Sequence, residues 1–225
     1  MTMNDGLGAR AHILSRLRAA PRSAPPPYPA PGTAAWLPPV HGPERQARFR
    51  AMLEASRAEV YEASAADWPE RLKILLAGKG VTRLLHAPGT AAGRQLADAW
   101  AGTGGPALIA YDRPVEAFKP VLVGGVEAAL TTARSGIAHT GTLVLWPDAD
   151  EPRLMSLLPP IHVVLIDAAT VTDNLSDTIS SQNWAAGMPT NALLISGPSK
   201  TADIEQTLAY GVHGPKDLIV LVITR

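Results

Sequence analysis

Cysteine is absent from the 225 residues, and this absence removes whole classes of chemistry. Disulfides, thiolate zinc sites, iron–sulfur ligation, covalent c-type haem attachment and a cysteine nucleophile are excluded within this chain. An excess of one charge is lacking too, because 20 Lys and Arg stand against 20 Asp and Glu. Nucleic acid and anionic membrane surfaces both select clustered positive charge, so neither is the expected partner. Long apolar runs are missing. The longest aliphatic one, Val163-Val164-Leu165-Ile166, falls far short of the roughly 20 residues that span a bilayer. The arginines at 10, 16, 18 and 22 are followed by no apolar stretch of signal-peptide length. The expectation is a cytoplasmic protein without membrane insertion.

What is present is apolar residue, at 46% of the chain, enough for one large core with an appendage. Residues 7–19 read as a short amphipathic helix, with Leu7, Ile13, Leu14 and Leu17 on one side. Nine of the 21 prolines then fall between Pro21 and Pro43; lacking the backbone donor, they mark an extended linker. Three parts follow: a helical arm over 1–20, a Pro-rich linker over 21–43, and a globular part over 44–225. The arm's apolar side suits docking onto its own domain, a second copy in a homo-oligomer, or another subunit.

Within the globular part, strands are expected at 59–63, 82–86, 107–111, 142–146, 161–166, 192–196 and 218–223. Helices are expected at 44–58, 66–78, 90–101, 124–134, 172–186 and 201–210. Strands alternating with helices predict βαβ units, and apolar strands without alternation predict a sheet covered on both faces. The fold class is α/β, a single three-layer domain with a mostly parallel sheet and an N-terminal helical arm.

Polar and glycine residues concentrate in three turns: Gly136 to Thr142, Ser196 to Glu205, and Gly211 to Pro215. A strand running through Ser196, Gly197, Ser199, Lys200 and Thr201 into a helix would present free N–H groups and a cation to an anion. Asp203 lies in that helix's first turn. The same residues also read as a turn with Thr201 as helix cap. A P-loop fails, because Ser199 precedes Lys200 where glycine is required and Leu194 stands in place of the first glycine. In the first turn Gly141 sits between Thr140 and Thr142, whose hydroxyls suit a carboxylate or phosphate, with His139 as acid or base; a tight structural turn is the alternative. The third turn adds His213. In an open α/β sheet the 196–201 turn belongs at the carboxyl ends of the strands, with 211–215 at the other end of its helix. The six histidines show no helical His-x-x-x-His spacing, so no metal site is expected. Gly-x-Ser-x-Gly is absent, and no Gly-x-Gly-x-x-Gly follows the first strand. His162, within an apolar strand, reads as a hydrogen-bonded core residue.

The runs Ile-Ala-His-Thr-Gly-Thr-Leu-Val-Leu (137–145), Leu-Leu-Pro-Pro-Ile-His-Val (157–163), Ser-Gly-Pro-Ser-Lys-Thr-Ala-Asp-Ile-Glu (196–205) and Gly-Val-His-Gly-Pro (211–215) resemble the LUD domain family. Among its members the chain is similar to the cysteine-free, single-domain lactate utilisation protein C subgroup. The resemblance spans roughly residues 44–225. It implies a fold related to the sugar-phosphate isomerase and CoA-transferase superfamily. It also implies a part in oxidising L-lactate to pyruvate beside partner subunits that carry the iron–sulfur clusters, with a small carboxylate or phosphorylated ligand. The family commonly has Glu where this chain has His139, so a carboxylate role there does not carry over. The competing reading is a stand-alone isomerase, ligase or transferase acting on a phosphorylated or CoA-linked metabolite. Oxidation of a 2-hydroxy acid removes two electrons that no side chain here can accept, so they must leave through a partner or an added cofactor.

Overall fold

The computed structural model describes residues 5–19, 39–202 and 208–224. It divides into one unit over 1–38 and another over 39–225. The first holds helix α1 (Asp5–Ala19), with Ile13 and Leu17 exposed. Of the linker expected over 21–43, residues 21–38 lie outside the described residues, and its last residue, Pro43, opens a helix where its missing N–H costs nothing.

The second unit follows the expected alternation at first: α2 (Pro43–Ala55), β1 (Glu59–Ser64), α3 (Trp68–Gly78), β2 (Arg83–His86), α4 (Ala91–Trp100) and β3 (Ala107–Ala110). Then it departs. The helix expected at 124–134 lies earlier, as α5 (Val115–Gly124), with Pro120 inside it; residues 128–132 are instead strand β4 (Ala128–Thr132). An interior proline ordinarily breaks a helix, which hides α5 in the sequence. The alanines of β4 look helical in isolation but are buried between two parallel neighbours. Next come β5 (Ser135–Ile137), β6 (Thr142–Leu145), β7 (Ile161–Asp167), β8 (Val171–Thr172), α6 (Leu175–Ser181), β9 (Leu193–Ile195), β10 (Lys200–Ala202), β11 (Leu208–Tyr210) and β12 (Asp217–Thr224). The helix expected at 172–186 is thus only α6 plus a 3₁₀ turn over Trp184–Ala186, separated by Asn183 in the left-handed region.

The main sheet has the order β1-β12-β7-β4-β2-β3, with every pairing parallel. One face packs on α3 and α4 through Trp68, Leu72, Leu76, Leu96 and Trp100. The other face meets α2 through Phe49 and Leu53, and α5 through Phe118 and Leu122. Between these two helices it meets a second sheet, β8-β5-β6-β9, through Ala138, Leu143 and Leu145. The middle layer is therefore the parallel sheet, and one outer layer is itself part sheet. Strands buried on both faces are what the continuous apolar runs at 161–166 and 218–223 encode.

Candidate functional site

The hairpin of β5 and β6 places Thr142 opposite Ser196, which directly follows β9. Three hydroxyls join in series: Thr140 Oγ1 to Thr142 Oγ1 at 2.7 Å, and Thr142 Oγ1 to Ser196 Oγ at 2.8 Å. Two glycines allow this. Gly141 has φ +58° and its Cα faces the backbone of α2, where an added Cβ would stand 2.5 Å from Leu53 N. At Gly197 a Cβ would stand 2.6 Å from Ser56 O, just past the end of the same helix.

Beyond Ser196 the chain bends through Gly197-Pro198-Ser199 and meets the third turn. Ser199 N donates to Pro215 O at 2.8 Å and Gly211 N to Ser199 O at 3.0 Å. The two turns expected at opposite ends of a helix are thus side by side. A strand, not a helix, directly follows Ser199. Lys200 and Thr201 lie in β10, an antiparallel partner of β11 in which Lys200 faces Tyr210 and Thr201 faces Ala209. The anion cradle built on a helix N-terminus is accordingly corrected: Lys200 is an exposed strand residue, and Asp203 lies outside the described residues. Gly211 does take positive φ, at +76°, but after a strand. The location is corrected as well, because Pro160 and Pro215 lead into β7 and β12, so the turns gather at the amino ends of the parallel strands.

Together they enclose a cavity of about 250 Å³. Of the expected residues, Ser196, Gly197, Ser199 and His213 line it; Thr140 and Thr142 reach it through the hydroxyl chain. Lining residues that the sequence did not mark as ligand groups include Ser156, Leu157 and His162. His162 is 1% exposed, and its Nε2 shares a hydrogen bond of 2.8 Å with Thr131 Oγ1, as a satisfied core histidine should. Burial pushes its imidazole down to about 3, so the ring is neutral near pH 7. His139 belongs to neither cavity nor hydroxyl chain. It is buried, its backbone N donates to Asp173 O, and neither ring nitrogen has a partner among the described residues.

At the carboxyl ends of the strands lies a different cluster. Loop 147–151 folds over the ends of β2 and β4, with Asp148 Oδ1 accepting from the backbone of Asp150 and Glu151. Thr132, the last residue of β4, donates both N and Oγ1 to Glu151 Oε2 at 2.8 Å. Burial pushes the Glu151 carboxyl up to about 7, and the charges of Asp148 and Asp150 push the same way, against the Thr132 hydrogen bonds. Arg134 stacks on Trp146 at 3.8 Å nearby. The sequence signal for this cluster is only an acidic run after a strand.

A parallel sheet with helices on one face and helices plus a small sheet on the other, with a hydroxyl-lined cavity at its amino edge, defines the class as a layered α/β domain. Residues 46–223 match the LUD domain model, and the chain belongs to the LUD domain family. It is 38% identical over 181 residues to an uncharacterised protein of Neisseria meningitidis serogroup B, covering 80% of this chain and 77% of that one. Relatives named lactate utilization protein C include those of Anoxybacillus flavithermus, 32% identical over 54% of this chain and 64% of the relative, and Bacillus subtilis, 36% identical over 43% and 42%. These two alignments take in less than two thirds of each relative's length. A crystal structure of a DUF162 family protein from Deinococcus radiodurans superposes with TM-score 0.59 over 80% of this chain and 97% of that one, at 21% identity. That likeness establishes the fold. No helix among the described residues is long and apolar enough to cross a membrane.

Proposed function

We propose that this chain is a cytoplasmic subunit of an L-lactate utilisation system, which oxidises L-lactate to pyruvate together with partner subunits that hold iron–sulfur clusters. The observation that carries the reading is kinship with relatives named lactate utilization protein C, such as that of Bacillus subtilis at 36% identity over 43% of this chain. The absence of cysteine supports a division of labour: this chain offers no thiolate to a cluster, so electron transfer falls to the partners. Its own contribution is a shaped polar cavity that holds a small acid. The stand-alone transferase or isomerase reading rests on the fold and on two anion-suited turns, and the strand at 200–202 weakens one of these by taking the place of the helix N-terminus that would have received a phosphate.

Deleting the gene and growing the cells on L-lactate as sole carbon source tests the role. Growth should fail and return on complementation. Undiminished growth in a strain with no second lactate oxidase overturns it.

A further inference from the structure

The cavity's walls have an unusual property for a polar site: its two best-fixed polar groups can each reverse the direction of their hydrogen bonds. Ser196 Oγ ends the chain of hydroxyls from Thr140 through Thr142. If each hydroxyl donates inward, Ser196 receives a proton and has its own to give; if each turns round, Ser196 gives to Thr142 and can only accept. His162 is bound in the same manner. Its Nε2 meets a hydroxyl, Thr131 Oγ1, which is able to donate or accept, so either neutral tautomer is satisfied and the other nitrogen becomes acceptor or donor accordingly. A ligand oxygen in this cavity is therefore received equally well as an alcohol or as a carbonyl.

Charge narrows the ligand further. Among the described residues no Asp or Glu lines the cavity, while Leu157, Ile195 and Leu218 supply apolar wall. At the rim, exposed His213 belongs to the lining, and exposed Lys200 and Lys216 adjoin Ser199 and Pro215. The acid nearest in sequence, Asp217, lies 3.5 Å from Lys79 Nζ. An anionic group at the rim meets cations, with its oxygen-bearing carbon inside. A volume of about 250 Å³ holds roughly eight waters at about 30 Å³ each, which suits a molecule of three or four carbons.

We propose that this cavity binds a small 2-hydroxy monocarboxylate and its 2-keto counterpart with closely similar affinity, the shared second-carbon oxygen resting between Ser196 and His162. The ligand class rests on the lactate reading above; the indifference to oxidation state comes from the reversible hydrogen bonds alone. A domain of this kind holds a hydroxy acid and its keto acid equally and leaves the direction of reaction to the electron partner.

The full chain, titrated calorimetrically with L-lactate, pyruvate and propionate, tests this. Lactate and pyruvate should bind with constants within about threefold of one another. Propionate, which lacks the oxygen, should bind about tenfold more weakly, as expected for one lost hydrogen bond. Ser196→Ala should weaken the two oxygenated acids about tenfold and leave propionate unchanged. His213→Ala, at an exposed position that does not bear on folding, should weaken all three. Preference for one oxidation state by tenfold or more overturns the reversible-bond inference. Absence of saturable binding by any of the three overturns the cavity assignment, and a growth defect in the deletion strain would then still uphold the lactate role on its own.

Discussion

The two edges of the parallel sheet carry opposite chemistry. At the amino edge a neutral imidazole, His162, borders a cavity that no carboxylate lines among the described residues; at the carboxyl edge a half-buried carboxyl, Glu151, ends an acidic loop. Both groups are displaced from their ordinary range chiefly by burial, and in opposite senses of proton affinity. Burial favours the uncharged form of whatever it covers. The native state therefore holds a proton on Glu151 up to about pH 7 and withholds one from His162 down to about pH 3. In open α/β sheets the carboxyl edge is the usual place for a ligand. Here the turns that converge there carry the protein's own acids beside open clefts of about 350 and 400 Å³, and the hydroxyl-lined cavity lies at the other end.

The largest expected effect separates the edges by pH. The Glu151 carboxyl, raised from 4.5 to about 7, gives full stability below pH 4.5 and loses it as pH rises to 7. The His162 ring, lowered from 6.5 to about 3, gives full stability above pH 6.5 and loses it as pH falls. Between pH 4.5 and 6.5 the two slopes oppose, each about 1.4 kcal/mol per pH unit, and the wild-type urea-denaturation free energy should be nearly level. Glu151→Gln removes one of them. That variant should be more stable than wild type by about 3 kcal/mol at pH 8, and its stability should climb steadily between pH 4.5 and 6.5. A level profile in the variant breaks the comparison.

Next in size are two close approaches of backbone, one at each edge. A Cβ on Gly93, in the first turn of α4, would collide with Ala87 O, and one on Gly197 would stand 2.6 Å from Ser56 O. Overpacking against backbone costs about 3 kcal/mol, from which Gly93→Ala recovers about 1 kcal/mol of helix propensity. Gly93→Ala should lose about 2 kcal/mol by urea denaturation, with ligand binding intact. Gly197→Ala should lose a comparable amount and also disturb binding at the amino edge.

Thr131→Val keeps shape but leaves the His162 ring without its hydroxyl partner. A loss of about 1.5 kcal/mol in chemical denaturation is expected. No measurable loss would show that the imidazole has found another partner.

The smallest effect concerns Arg57, which has φ +68° just after α2 and stacks on Tyr210 at 4.6 Å. Arg57→Gly relieves the left-handed strain, about 1 kcal/mol, and forfeits a cation–π contact of similar worth. The melting temperature should barely move.

The elements legible in the sequence were those whose own residues decide their structure. The strands at 161–166 and 218–223 are apolar enough to be buried on both faces, and Leu72 and Leu76 stand one helical turn apart in α3. Other elements are decided by distant partners. Lys200 to Ala202 becomes a strand because residues 208–210 run antiparallel beside it, and Ala128 to Thr132 because β7 and β2 flank it. The site was legible as residue types more than as a place. Ser196, Ser199 and His213 do meet, yet the order of segments along the chain gives no hint that the turns before β7 and β12 fold to the same edge. His162 was rightly read as a core residue; that it also borders the cavity depends on the registry of β7 with β12, where it pairs with Leu218.

Gly141 and Gly197 come from distant parts of the chain, yet both rest on the last turn of α2 and the residue after it, at Met52, Leu53 and Ser56. They touch mostly main chain there, so the helix end acts as a ruler against which two turns are aligned. A ruler tolerates repainting but not a change of length. The exposed side chains at 54–56 can drift as long as the backbone path is kept, whereas one residue inserted in α2 would rotate its end by about 100° and carry both turns out of alignment. Variation among descendants of this chain should accordingly appear in α2 as substitution and almost never as insertion.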